Sequence, residues 1–392
     1  MHDPFSDIRP YRDDEVVTVL DRITGSMTLH RALLKYRLPM LPHWLRELML
    51  PLARWVMKQQ LDGINTVAGF QAWLERRVGK LLDKTSGRVI VRGLERMAPE
   101  QGHLWISNHR DIAMDPTMIN YSLHQAGWPT SRIAIGDNLL GHPDVADLMR
   151  LNKSFIVKRN ISAKREKLAA LQQLSNYIRH SLDEHESVWI AQREGRAKDG
   201  IDATDTAVLK MMALHGRERS ETFTETMSRL RPVPVSIQYE WDPCDLMKGR
   251  ELVARRKYGS YRKEEGEDTR SLLTGITGHK GTIHVDFGTP LTQEEMASPE
   301  TMAAAIDRQI LQMTEVLPVH HAALAMLQND FNTLYEVQAE PVPESLTQQL
   351  RARIEHEARD VQEQVLRGYA MPILRRQLPA AIIHEAEEPS SS

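Results

Sequence analysis

The sequence has only one cysteine, Cys244, and aromatic residues make up 6% of its 392 residues. One cysteine cannot form an internal disulfide, so a secreted, disulfide-stabilised protein gains no support. No apolar run reaches the ~18 residues that a membrane-spanning helix needs, and the nearest stretch is broken by Pro51 and Arg54. The first residues also lack the pattern of a signal peptide. These absences predict a cytoplasmic protein that meets a membrane only at its surface.

A dominant charge of one sign is missing as well. The chain has 50 basic and 53 acidic residues, which give a net charge of −3. Domains that bind nucleic acids usually carry a strongly basic surface, so we expect no nucleic-acid partner. A chain of this length can bury a large core without a metal or a disulfide. We therefore expect no metal site and no bound cofactor.

Seven short apolar segments, mostly separated by helical patterns, predict the strands of one sheet. Strands that alternate with helices form sheets covered on both faces. The predicted fold class is therefore α/β, with a mixed, largely parallel sheet flanked by helices. The strand segments are residues 88–91, 104–107, 133–135, 155–157, 188–191, 234–237 and 283–287.

Helical patterns dominate on both sides of this region, because apolar residues recur there at steps of three and four. We predict an N-terminal helical domain at residues 1–84, an α/β domain at 85–292 and a C-terminal helical extension at 293–384. The composition of residues 385–392 predicts a disordered tail.

Three local features refine this description. Pro51 should start or kink a helix, and Ser162 is a candidate N-cap. Trp44, Trp55 and Trp73 fit either a membrane-facing surface or the core of the helical domain, and we favour the core.

Residues 106–116 place a histidine directly after an apolar strand, with two acids close behind it. Asp111 and Asp115 stand two and six positions after His109. Imidazole titrates near neutral pH and can take a proton from a hydroxyl, while a carboxylate can orient the ring and stabilise the imidazolium. In α/β proteins, ligands often bind at the carboxyl end of such strands. His109 is therefore a candidate general base, and the alternative is that it only caps the next helix.

Three more segments follow in order, each containing an apolar strand. Residues 152–159 end in two cations, residues 189–200 include a glycine-containing loop with three cations, and residues 231–240 include Val-Pro-Val. This order resembles the glycerolipid acyltransferase family, whose blocks read Asn-His-x4-Asp, Gly-x-x-Phe-Ile-x-Arg, Phe-Pro-Glu-Gly-Thr-Arg-Ser and Val-Pro-Val. The blocks are carried here by Asn108 and His109, then Phe155, Ile156 and Arg159, then Glu194, Gly195 and Arg196, and last Val233, Pro234 and Val235.

The resemblance extends to the glycerol-3-phosphate acyltransferase branch, through residues 237–252 and 285–290. It implies transfer of a fatty acyl group from acyl-CoA or an acyl carrier protein to a hydroxyl of glycerol-3-phosphate or 1-acylglycerol-3-phosphate, as in phospholipid biosynthesis. His109 would be the general base, with Asp115 or Asp111 as its partner. The substrate-binding residues that it implies are Lys158, Arg159, Glu194, Gly195, Arg196 and Lys198.

The sequence departs from the family pattern in each of the first three blocks. The family aspartate stands five positions after the histidine, where this chain has Met114, so a one-residue insertion would bring Asp115 into that role. The second block lacks its glycine, and Gln192 and Arg193 replace Phe-Pro in the third. These differences keep a second function open, namely an inactive acyltransferase-like protein that binds lipid or an acyl carrier.

Overall fold

A computed structural model of the chain describes residues 3–333 and 335–378, and in that part seven strands form one sheet. Their order across the sheet is β1-β7-β6-β2-β5-β3-β4, and all neighbours run parallel except β6 and β7. This confirms the predicted mixed, largely parallel sheet and all seven predicted strands. The strands are β1 (Ser86–Arg92), β2 (Leu104–Ser107), β3 (Arg132–Gly136), β4 (Ser154–Val157), β5 (Val188–Ala191), β6 (Pro232–Tyr239) and β7 (Gly281–Phe287).

Helices precede, flank and follow the sheet. The N-terminal helices are α1 (Asp13–Gly25), α2 (Met27–Arg37), α3 (His43–Leu48), α4 (Leu50–Leu61) and α5 (Val67–Thr85). Between the strands lie α6 (Met114–Gln125), α7 (Pro143–Leu151), α8 (Lys164–Asp183), α9 (Thr206–Met212), α10 (Phe223–Leu230), α11 (Asp245–Tyr258) and α12 (Glu267–Thr277). The C-terminal helices are α13 (Pro299–Met313), α14 (Pro318–Asp330), α15 (Glu344–Ile354) and α16 (Arg359–Gln377).

Strand β2 lies in the middle of the sheet, and its position determines where the site forms. Its last residue, Ser107, is in register with Ala191 at the end of β5 and with Val235 in β6. Leu104 and Trp105 are fully buried and belong to the apolar layers on opposite faces of the sheet. Because β2, β5, β3 and β4 are parallel, the segments that follow them meet at one edge.

The N-terminal region packs onto the α/β region through short segments. The backbone N–H of Ile156 donates to the carbonyl of Ile8 at 2.9 Å, and α1 shares an apolar cluster with Leu148 and Leu151 of α7. The division into domains at residues 84, 292 and 384 stays a prediction, and the predicted tail at 385–392 lies outside the described residues.

Two of the local predictions can be compared directly with the helices. The prediction for Pro51 is confirmed, because α3 ends at Leu48 and Pro51 is the second residue of α4. The prediction for Ser162 is wrong by one residue, because α8 begins at Lys164 and its N-cap is Ala163, without a capping side chain.

The preferred core position is wrong for two of the three tryptophans. Trp44 and Trp55 are 68% and 60% exposed, because α4 joins the apolar cluster around α1 through Met57 and Leu61 instead. Trp73 is partly buried and stacks on Phe70, with ring centroids 5.5 Å apart. Among the described helices, none alone is long and apolar enough to cross a membrane; α13 and α14 meet that test only as a pair bent by 97°.

Candidate active site

His109 follows β2, and its ring is held by Asp115. The Nδ1 atom lies 2.8 Å from Asp115 Oδ2, and the carboxylate is completely buried. The same oxygen accepts the backbone N–H groups of Arg110 and Asp111, at 2.7 and 2.9 Å. Asp115 Oδ2 accepts all three of these hydrogen bonds, so the proton of the neutral imidazole is on Nδ1 and a lone pair stays on Nε2.

Asp111, the other candidate partner, has a different position. Its Oδ1 accepts the backbone N–H groups of Ala113 and Met114, at 3.0 and 2.8 Å, so it binds the start of α6. Burial, and then the charge of Asp115, raises the pKa of Asp111. The pairing of His109 with Asp111 is therefore not formed, and Asp115 is the carboxylate that contacts the histidine.

The second oxygen of Asp115 is bound from the opposite side. The hydroxyl of Tyr239, the last residue of β6, donates to Asp115 Oδ1 at 2.8 Å. Burial, and then the charge of Asp115, raises the pKa of Tyr239 well above its ordinary value, so this hydroxyl stays a donor. The sequence argument missed Tyr239, although the Tyr-Glu pair after the fourth motif pointed to this position.

Asn108 connects the end of β2 to β6. Its buried side-chain amide accepts from the backbone N–H of Ile237 at 2.8 Å and donates to the carbonyl of Ile237 at 3.0 Å. Both backbone groups of Ile237 lie beyond Val235, the last residue of β6 that pairs with β2. The Asn108 amide therefore makes the hydrogen bonds that a further residue of β2 would otherwise make with β6. This contact holds the residue before His109 at the edge of the sheet.

The free nitrogen of His109 faces a partly open site. Its side chain is 16% exposed, and Nε2 has no hydrogen-bond partner among the described residues. The ring contacts Trp189 edge to face, with centroids 6.0 Å apart. Such an arrangement keeps the ring fixed while one nitrogen can reach a substrate.

The loop after β5 lies next to His109. The backbone N–H of Ala197 donates to the carbonyl of His109 at 2.8 Å. Gly195 has a φ of +76°, a left-handed conformation that favours glycine. The loop that contains Glu194, Gly195 and Arg196 therefore passes next to the backbone of His109.

Arg159 and Arg196 reach the same edge of the sheet from different loops. Arg159 Nη1 lies 3.6 Å from Glu194 Oε1, and its guanidinium packs against Gly136 at the end of β3. Arg196 Nη1 donates to Ser271 Oγ of α12 at 2.9 Å. Arg159 follows β4 and Arg196 follows β5, so both lie in segments at the edge of the sheet where His109 follows β2.

The two predicted lysines are bound elsewhere. The ammonium of Lys158 contacts Asp7 at 2.5 Å and Gln173 of α8 at 3.4 Å. The ammonium of Lys198 contacts the buried Glu251, and burial lowers the pKa of Lys198. The charges of both lysines are thus balanced by protein carboxylates. Among the cations predicted to bind substrate, Arg159 and Arg196 therefore have the fewest protein contacts that would compete with a ligand.

The segment after His109 is tied to the C-terminal half of the chain. Arg110 Nη2 donates to Asp202 Oδ2 at 2.6 Å, and Lys248 donates to the carbonyl of Arg110 at 2.7 Å. A polar cavity of about 70 Å³ adjoins these residues, which is large enough for water. Within the described residues, no group of three or more His, Cys, Asp or Glu side chains is arranged to hold a metal ion.

Comparison with known proteins finds a family match for one part of the chain. No curated protein matches the sequence. A solved structure of the 1-acyl-sn-glycerophosphate (LPA) acyltransferase PlsC from Thermotoga maritima is similar at 12% sequence identity and a TM-score of 0.37, over 75% of this chain and 92% of that one. The sequence profile described as Acyltransferase matches residues 88–215, which contain His109, Asp115, Arg159 and Arg196. Over these residues the chain is similar to the acyltransferase family, to which the order of its motifs also pointed.

Proposed function

We propose that this protein transfers a fatty acyl group from an acyl thioester to a hydroxyl of glycerol-3-phosphate or 1-acylglycerol-3-phosphate. The observation that carries the proposal is the contact between His109 Nδ1 and Asp115, which leaves Nε2 unpartnered among the described residues. The neighbouring Arg159 and Arg196 supply the positive charge that a phosphorylated acceptor needs.

The proposed reaction needs a base and a stabilised oxyanion. His109 Nε2 takes the proton from the acceptor hydroxyl, and the oxygen forms a bond to the thioester carbonyl carbon. Backbone N–H groups near Gly195 stabilise the negative oxygen of the tetrahedral intermediate, since those of Ala113 and Met114 at the start of α6 are already bound by Asp111. The carbon–sulfur bond then breaks, and the leaving thiolate takes the proton back from His109. Asp115 stabilises the imidazolium while it exists.

The acceptor phosphate would bind the two arginines. A guanidinium can bind phosphate oxygens through two parallel hydrogen bonds, which fixes the orientation of the acceptor. Glu194 is 71% exposed and lies 3.6 Å from Arg159, so the acceptor phosphate can replace this weak surface pairing. The acceptor hydroxyl would then face Nε2.

The proposal is tested by measuring thiol release from acyl-CoA and from an acyl carrier protein with a panel of phosphorylated and unphosphorylated acceptors. His109→Ala should lower kcat by about 10²-fold or more, the usual contribution of a general base. Its circular dichroism and melting curve should match those of the wild type. Near-wild-type turnover by this variant would rule out the mechanism, and thioester binding without thiol release for any acceptor would favour the inactive binding protein.

We also propose that the protein contacts a membrane through a separate surface on α3 and α4. Trp44, Leu48, Leu52 and Trp55 are all more than half exposed, and they recur at steps of three and four along α3 and α4. The exposed cations Arg54 and Lys58 have no ion pair among the described residues. An apolar face with tryptophans and adjacent cations is typical of helices that lie in a membrane interface.

This surface is tested by sedimentation with anionic phospholipid vesicles. Trp44→Ser combined with Trp55→Ser should weaken vesicle binding, while Leu168→Ser, at another exposed apolar residue on α8, should not. Equal binding by the double variant and the wild type would contradict the membrane contact. The cytoplasmic location stays a prediction.

A further inference from the structure

Arg110, the residue after His109, is bound from three sides. Its backbone N–H donates to Asp115 Oδ2 at 2.7 Å. Its backbone carbonyl accepts from the ammonium of Lys248 at 2.7 Å, and its guanidinium donates to Asp202 Oδ2 at 2.6 Å. The contact with Lys248 connects the turn after β2 to α11, although the two residues are 138 positions apart in the sequence.

The carbonyl of Arg110 and the N–H of Asp111 belong to one peptide unit. Because a peptide unit is planar and trans, its C=O and N–H point in opposite directions. The carbonyl accepts from Lys248, and the N–H donates to Asp115 Oδ2 at 2.9 Å. Lys248 therefore fixes the rotation of this peptide plane, and with it the direction of a hydrogen bond that holds the carboxylate next to His109.

The charge of Lys248 also strengthens that hydrogen bond. A carbonyl that accepts from a cation is polarised, and the N–H of the same peptide unit becomes a stronger donor. Lys248 is 4% exposed, so water and salt screen its charge little. The effect reaches Asp115 through one peptide unit, and Asp115 in turn contacts His109 Nδ1 at 2.8 Å.

The ammonium of Lys248 is held in place by Asp242, in the segment between β6 and α11. The two side chains form an ion pair. Burial acts to raise the pKa of Asp242, but the charge of Lys248, their hydrogen bond and the backbone N–H of Cys244 together lower it, so the carboxylate stays ionised. The N–H of Cys244 donates to Asp242 Oδ1 at 2.8 Å. This carboxylate fixes the direction from which Lys248 reaches Arg110.

Helix α11 is itself packed closely on the C-terminal helices. Gly249, beside Lys248, leaves no room for a side chain, because a Cβ atom would lie 2.7 Å from Val365 Cγ2 of α16. One turn further along α11, Val253 is buried in the apolar cluster of these helices. The position of Lys248 is thus determined by packing in the C-terminal part of the chain.

We propose that Lys248 is a positioning residue for acyl transfer, an inference that rests on the proposed function. Through the peptide unit between Arg110 and Asp111, it orients Asp115, the carboxylate that contacts the base. Lys248 lies outside residues 88–215, which match the acyltransferase profile. The C-terminal part of the chain thereby contributes to a site whose motifs lie elsewhere.

The closing experiment compares two lysines with the same kinds of partner. Lys248→Met keeps an apolar stem of similar length but removes the ammonium. Lys153→Met is the matched control, because the ammonium of Lys153 also binds one backbone carbonyl, that of Thr130 at 3.0 Å, and one carboxylate, that of Glu186 at 2.9 Å. Lys153 directly precedes β4, at the opposite edge of the sheet from His109.

We expect Lys248→Met to lower kcat by about tenfold or more, because the carboxylate behind the base loses its fixed orientation. KM should change little, since a buried lysine does not bind the substrates. Lys153→Met should keep the wild-type kcat. An unchanged kcat for Lys248→Met, or equal losses of kcat in both variants, would overturn the proposal.

A second pair of variants separates positioning from the neutralisation of Asp242. Lys248→Met combined with Asp242→Asn leaves no unpaired buried charge, so this double variant should be more stable than Lys248→Met alone and lose as much kcat. Wild-type kcat in the double variant would show that Lys248 only neutralises Asp242. Lys248→Arg should keep more kcat than Lys248→Met, because a guanidinium can extend into the adjoining cavity of about 70 Å³. Equal losses in these two single variants would also contradict the proposal.

Hydrogen exchange distinguishes this inference from the proposed function, because it needs no turnover. The N–H groups of Arg110 and Asp111 are both bound by Asp115. They should exchange about tenfold faster in Lys248→Met and at the wild-type rate in Lys153→Met. Faster exchange in a protein without transferase activity would support the role of Lys248 in the turn and refute the function. Unchanged exchange in an active Lys248→Met enzyme would refute the positioning role alone.

Discussion

The hydroxyl of Tyr239 donates to Asp115 Oδ1 at 2.8 Å, while His109 contacts the other oxygen of the same carboxylate. Tyr239 ends β6 and is 124 residues from Asp115 in the sequence. Both side chains are buried, so the carboxylate has little freedom to rotate. The orientation of the candidate base therefore depends on a strand that contributes nothing to the histidine motif itself.

Tyr239→Phe should lower kcat by roughly tenfold while KM changes little, because Asp115 loses the bond that orients it behind His109. The free energy of unfolding should fall by about 1–3 kcal/mol, the cost of an unsatisfied buried acceptor. Tyr369→Phe is the matched control, since the hydroxyl of Tyr369 in α16 donates to Asp245 Oδ2 of α11, also at 2.8 Å. If both variants lost kcat equally, a positioning role for Tyr239 would be excluded.

Asp115→Asn should reduce kcat far more than Asp111→Asn. An asparagine at 115 can present its amide to His109 Nδ1 and favour the wrong tautomer, a change that has cost a serine protease about 10⁴-fold. Asp111 binds only backbone N–H groups at the start of α6, and an asparagine oxygen can accept those bonds. Steady-state kinetics of the two purified variants test this prediction. Similar losses of kcat would contradict the assignment of Asp115 as the partner of His109.

Gly195→Ala should lower both activity and stability through the backbone. A residue with a side chain is strained at a φ of +76° by roughly 1 kcal/mol, although no atom lies within 4 Å of the added Cβ. Gly259→Ala is the control, with a φ of +70° and equally open surroundings at the end of α11. We expect similar losses in melting temperature but a lower kcat only for Gly195→Ala. A Gly195→Ala enzyme with normal kcat would show that the loop conformation is not needed.

Asp286→Asn should stabilise the protein at neutral pH. Burial raises the pKa of Asp286 to about 6, above the value of about 3.9 expected in the unfolded chain. The folded state therefore holds its proton more tightly, and stability falls as the pH rises from about 4 to about 6 and stays lower above that. Asparagine cannot ionise, so the variant should gain up to about 3 kcal/mol at pH 7.

Urea denaturation at several pH values tests the Asp286 prediction. The gain of Asp286→Asn over the wild type should shrink toward zero as the pH approaches 4. A difference of the same size at pH 4 and pH 7 would show that ionisation of Asp286 is not the cause.

Local sequence patterns determined the strands and the order of the motifs. An apolar run of four residues between polar segments predicts a buried strand without knowledge of its neighbours, which is why all seven strands were found. The sequence also placed His109 and Arg159 after strands, and parallel pairing then brings such positions to one edge. The family match follows from the same linear order.

Only the tertiary structure decided which side chains meet. Asp111 and Asp115 are both close to His109 in sequence, and the turn into α6 selects Asp115 by directing two backbone N–H groups onto its oxygen. Lys158 and Lys198 are bound by Asp7 and Glu251, partners far away in the chain. Trp44 and Trp55 lie on a periodic apolar face. The sequence pattern of such a face is the same whether the face packs on a core or is exposed to solvent. Contacts between segments that are distant in the sequence leave no local sequence pattern, so only the folded structure shows them.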